Sequence, residues 1–145
     1  MSRNKKHRGR PEGTEGRPAK QRNKTTDRRK LIMSIVDTDS TFKSMTGVNA
    51  GWVGDCIHCG TRLFVSVEGA TLVNVTVEHI NPKCNAGDKT DPRNLALACA
   101  SCNNEKGVRH DRHVGKNGHK SHRADEVIEA LKEKRLARWR EPTEA

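Results

Sequence analysis

A chain of 145 residues with 28 Lys+Arg against 18 Asp+Glu carries a formal charge of +10 at pH 7. Only 32% of it is hydrophobic, so it is read as one small domain whose core needs outside help such as a metal. No apolar run approaches the roughly 18–20 residues of a membrane span, no apolar segment follows the basic N-terminus to make a secretory signal, and the excess charge points to a polyanionic partner. Nucleic acid is the polyanion expected, and the four aromatics, Phe42, Trp52, Phe64 and Trp139, are too few for stacking-based single-strand binding.

The charge is uneven. Residues 1–24 hold nine Lys/Arg and two Glu, 25–107 hold nine of each sign, and 108–145 hold ten basic and seven acidic residues. The first 24 residues have almost nothing apolar to bury, so a disordered basic tail is expected there. It has two readings: a solubilising tail, or an arm whose Arg3, Lys5, Lys6, Arg8 and Arg10 neutralise phosphates and make affinity salt-dependent.

Order is expected from Thr26, with Thr25, Thr26 or Asp27 as N-cap and Leu31, Ile32, Ile35 and Val36 as a helical stripe ending near Asp37–Ser40. Residues 46–54 read as a turn-rich lead-in. Arg62–Val67 and Thr71–Val77 read as two strands of one hairpin turned at Glu68-Gly69. A loop spans Asn81–Arg93, a short strand Leu95–Ala98, and a brief helix 101–106 with Gly107 as its stop. After a flexible break at Gly115–His119, Ala124, Val127, Ile128 and Leu131 mark a final helix. Asp125 and Glu126 open it, and Lys134, Arg135 and Arg138 close it, as the dipole favours. The expected organisation is a tail over 1–24, a helix and lead-in over 25–50, a central domain over 51–110, and a break with a basic amphipathic helix over 111–145.

Cys56-Ile-His-Cys59 and Cys99-Ala-Ser-Cys102 are two C-x2-C pairs, the pattern of a closed structural Zn2+ site. Such a site supplies folding free energy and leaves no coordination position for chemistry. His58 sits inside the first pair and is read as a bystander. Cys84 is read as an incidental thiol, and His110, His113, His119 and His122 as solvated side chains.

Between and after the pairs stand Glu78-His79-Ile80-Asn81-Pro82, then Asn94-Leu95, then Cys102-Asn103-Asn104-Glu105-Lys106-Gly107. Over roughly Cys56–Gly107 the chain resembles the HNH endonucleases, the His-Me finger or ββα-metal family, in its zinc-containing branch. The resemblance implies an α+β fold. Its core would be a small ββα-metal unit stapled by the four-cysteine zinc, with flanking helices. It also implies a metal-dependent DNA endonuclease, perhaps nicking, of phage or bacterial type, acting in the host cytoplasm if phage-encoded. In it His79 is the general base, and Asn94 orients the base and braces the loop. Glu78 and Asn103 would hold one Mg2+ or Mn2+. Glu78 stands where Asp or His is usual, so its direct ligation stays open. Lys106 would contact a phosphate or complement the helix dipole. Two alternatives remain: a non-catalytic zinc-stabilised nucleic-acid-binding protein, and an inactive HNH accessory of phage DNA packaging.

Overall fold

The computed structural model describes residues 19–72, 74–82, 87–111 and 122–143. The fold is α+β: three helices around two small antiparallel sheets. Helix α1 (Ala19–Thr38) begins inside the segment expected to be tail and runs through all three N-cap candidates. Its stripe behaves as the periodicity requires, with Ile32, Ile35 and Val36 fully buried. Arg3, Lys5, Lys6, Arg8, Arg10, Cys84, His113 and His119 lie outside the described residues.

Strands β1 (Lys43–Met45), β2 (Gly51–Asp55) and β3 (Arg62–Ser66) form one sheet in that order, where the sequence suggested only turns before Cys56. The glycines that read as turn-formers are needed by packing: a side chain at Gly54 would overlap the buried Phe42 ring. The expected Arg62–Val77 hairpin is corrected. Gly69 (φ 82°) does make a turn, but only an isolated bridge, Val65 to Thr71, follows it. Strand β4 (Val75–His79) instead pairs with β5 (Leu95–Cys99), in a register that sets His79 opposite Leu95 and Glu78 opposite Ala96. β5 is the central strand of the core, buried from Leu95 through Ala98.

Helix α2 (Ala100–Arg109) follows β5 directly and packs on β4 and β5. It passes through Gly107, the expected stop, and ends where His110 N–H donates to Lys106 O at 2.9 Å. Helix α3 (His122–Ala137) buries Ala124, Ile128 and Leu131, and then Arg135, at 1% exposure. Of the basic residues read as closing this helix for its dipole, Arg135 and Arg138 serve internal carbonyls, and so does Arg140 just beyond. Arg135 donates to Leu95 O, Thr38 O, Thr38 Oγ1 and Pro92 O. Arg138 donates to Asp55 O at 3.0 Å, and Arg140 to Asp37 O and Val36 O at 2.8 and 2.7 Å. The last carbonyls of α1, which no helix satisfies by itself, are thus capped by guanidiniums from the C-terminal segment.

Candidate metal and catalytic centre

Each cysteine pair sits at the junction of two elements. Cys56 and Cys59 form the tip between β2 and β3, closed by Cys56 N–H to Thr61 O (2.8 Å) and Gly60 N–H to Cys56 O (3.1 Å). The left-handed backbone there (φ 74°) suits glycine. Cys99 ends β5 and Cys102 lies in the first turn of α2. The Ile57 N–H bond to Leu97 O (3.1 Å) ties the tip to β5, and the four sulfurs lie within 4.8 Å of one another. Cys59 and Cys99 sulfurs are 3.8 Å apart, against roughly 3.8 Å for two thiolates on one tetrahedral Zn2+. Among the described residues this is the group of three or more His, Cys, Asp or Glu side chains placed to share an ion.

The thiols are not equivalent. Hydrogen bonds from Thr61 bring Cys59 down to about 6, and the Cys102 N–H lowers Cys99. Burial raises Cys56, and the neighbouring Cys99 sulfur raises Cys102. Zinc requires four thiolates, so loading releases the protons that Cys56 and Cys102 retain, and affinity falls as pH falls. One zinc per chain is expected, and stripping it with a chelator should lower the melting temperature by more than about 10 °C, because several kcal/mol of metal binding is folding free energy. Calorimetry with and without one equivalent of Zn2+ checks this; an unchanged transition would refute a structural role.

The second cluster lies between β4 and α2. Glu78 is a fully buried carboxylate, a costly placement unless paired. Its Oε2 is held by Nε2 of His58, and its Oε1 is 3.4 Å from Lys106 Nζ, with no hydrogen-bond partner among the described residues. Lys106, 4% exposed, also meets both Asp111 oxygens (2.9 and 3.1 Å) and His79 O (3.2 Å). Its ammonium therefore faces inward, and the phosphate contact expected of it is not the arrangement found. The burial, rather than the dipole, decides its role.

Asn103, one helical turn before Lys106, donates from Nδ2 to Thr76 Oγ1 (3.0 Å) and Val77 O (3.4 Å), so its amide lies against β4 just ahead of Glu78. Asn94 braces the loop after His79. Its Oδ1 accepts from Asn81 N–H (2.8 Å), and its Nδ2 donates to Asn81 O (3.0 Å) and Asp88 O (2.8 Å). His79 is half-buried at the end of β4, and its backbone is fixed from both sides: Lys106 holds its carbonyl, and the next N–H, of Ile80, bonds Asn94 O at 2.8 Å. Sequence reasoning missed the partnership of His58 with Glu78. The one local signal was an imidazole at the third position of the knuckle, pointing out of a turn whose cysteines point in.

Residues 56–109 match the family model described as HNH endonuclease. No curated protein and no solved structure matches the chain. The matched segment holds the four cysteines together with Glu78, His79, Asn94, Asn103 and Lys106, and the family it is similar to points to a nuclease or nucleic-acid-binding role. No helix among the described residues is long and apolar enough to cross a membrane.

Proposed function

From a segment that carries the HNH pattern on a β4–β5–α2 unit, we propose a metal-dependent endonuclease that hydrolyses phosphodiester bonds of double-stranded DNA. The observation that supports it most is that Glu78 and His79 end β4, Asn94 stands just before its partner strand β5, and Asn103 lies on α2, which packs on both strands. The four need each other for this chemistry and have no common purpose in a simple binding module.

Glu78 and Asn103 would hold the catalytic ion. Their donors are hard oxygens, which suit Mg2+ or Mn2+, and Glu78 Oε1 makes no hydrogen bond among the described residues, its charged neighbour being the Lys106 ammonium at 3.4 Å. When bound, such an ion supplies Lewis-acid stabilisation of the phosphate and the departing 3′ oxygen. The remaining work falls to the chain. His79, as a neutral imidazole, accepts the proton of the attacking water. Asn94 keeps the loop beyond it closed, so the imidazole meets the water in a fixed orientation. By family resemblance the products carry 5′-phosphate and 3′-hydroxyl ends. One such centre cuts one strand, so nicking is the primary event.

Supercoiled plasmid incubated with the zinc-loaded protein should relax to the nicked form with Mg2+ or Mn2+ and stay intact when EDTA is present. Binding without metal-dependent nicking would overturn the endonuclease reading in favour of a binding module.

A further inference from the structure

We infer that His58 is a positioning residue for Glu78, so that the zinc knuckle sets the geometry of the catalytic metal site. The inference rests on the endonuclease reading, in which Glu78 ligates the metal. The two oxygens of Glu78 have different surroundings. Oε1 faces Lys106, whose ammonium is closer to Asp111 (2.9 Å) than to Glu78 (3.4 Å) and is also engaged by His79 O. Oε2 is bonded by His58 Nε2. An ionised carboxylate only accepts, so the imidazole donates Nε2–H. The bond that orients Glu78 is therefore the one from His58, while Lys106 supplies charge.

Exposure makes the same distinction. The Glu78 side chain has none, that of Lys106 is 3% exposed, and that of His58 is 20% exposed. His58 lines an open cleft of about 220 Å³ together with Glu105, Arg109 and His110. Glu78 does not itself line this cleft; His58 and Lys106, which do, are the side chains that contact it from that side. Cys56 and Cys59 flank His58 in sequence, so four-thiolate coordination pins its backbone on both sides. Ligating carboxylates are commonly held by an outer hydrogen bond, and losing such a partner costs about 10–100-fold in metal affinity.

The test uses the full-length, zinc-loaded protein, with Mn2+ as the probe. Mn2+ affinity is read from water-proton relaxation, and plasmid nicking is measured in parallel. His58→Leu keeps size without a donor, and His58→Gln restores an N–H. With one zinc per chain retained, Leu should weaken Mn2+ binding about 10–100-fold. It should lower kcat at fixed Mn2+ and leave KM for plasmid unchanged, and Gln should recover most of the loss. Equal Mn2+ affinity in wild type, Leu and Gln proteins would overturn the assignment, as would loss of zinc from His58→Leu, which would make His58 a support of the knuckle alone. Wild-type protein that binds Mn2+ and nicks nothing would overturn the endonuclease reading, leaving the His58–Glu78 link to stand or fall on the affinities. Wild-type protein that binds no Mn2+ would overturn both.

Discussion

A His79→Ala protein is expected to keep its fold and its zinc and to lose plasmid nicking by about 10²–10⁴-fold, the range a positioned general base contributes. The structure explains why the loss should be selective. Three interactions that hold position 79 run through the backbone: the pairing with Leu95, the Lys106 bond to its carbonyl, and the Ile80 N–H bond to Asn94 O. Alanine retains these three. The side chain is half-buried and lies outside the apolar core cluster, so its removal opens no large cavity there. Circular dichroism, zinc stoichiometry and Mn2+ affinity should therefore match wild type while the nicking rate collapses. A purified, zinc-loaded His79→Ala protein that nicks at the wild-type rate would end the assignment of His79 as base.

The second large effect is on stability. Arg135→Ala should cost about 3 kcal/mol or more, because it leaves several buried acceptors without a donor. The guanidinium is 1% exposed and donates to Leu95 O (2.8 Å), Thr38 O (3.0 Å), Thr38 Oγ1 (2.6 Å) and Pro92 O (3.2 Å). It also stacks at 5.1 Å on Trp139, which Arg93 approaches at 5.3 Å. Burial lowers its pKa from the ordinary arginine value, yet arginine remains charged at any pH of interest. Lysine should not rescue it, since one ammonium cannot reach four acceptors in a planar fork. Urea denaturation of the zinc-loaded protein measures the cost, with exposed Lys134→Ala as a control expected within about 0.5 kcal/mol of wild type. A loss below about 1 kcal/mol for Arg135→Ala would mean that water replaces the guanidinium at these carbonyls.

What was legible in the sequence was local. The two cysteine pairs and the Glu78-His79, Asn94 and Asn103 positions are short patterns at the ends of elements, where one residue type has few other reasons to recur. The apolar stripe of α1 was equally plain. Strand partnership was not, because Thr71–Val77 follows a good turn and a Val-rich run, and nothing nearby reveals that β4 prefers a partner 16 residues ahead of His79. Gly51 and Gly54 read as turns because glycine is poor in strands, yet packing against Phe64 and Phe42 requires them in β2. Charged residues misled in a consistent way. Lys106 was read as a phosphate or helix-dipole partner and Arg135 and Arg138 as dipole partners, yet all three, with Arg140, serve internal acceptors. Arg135 had a visible signal, since it continues the buried row of Ala124, Ile128 and Leu131 at the next helical step. The partnership of His58 with Glu78 bridges 20 residues, and its one local signal was the imidazole at the third position of the knuckle.

The clasp between the C-terminal segment and the end of α1 also bears on the order in which the molecule assembles. Arg135, Arg140 and Thr143 bond residues 36–38 across sequence separations of 97 to 106. Contacts of that span are entropically expensive to close and form late. During synthesis, α1 and the zinc-bearing segment emerge while the donors that cap α1 are still untranslated. The carbonyls of Val36, Asp37 and Thr38 at the end of α1, and that of Leu95 on β5, thus gain these donors only once residues 135–143 have been made.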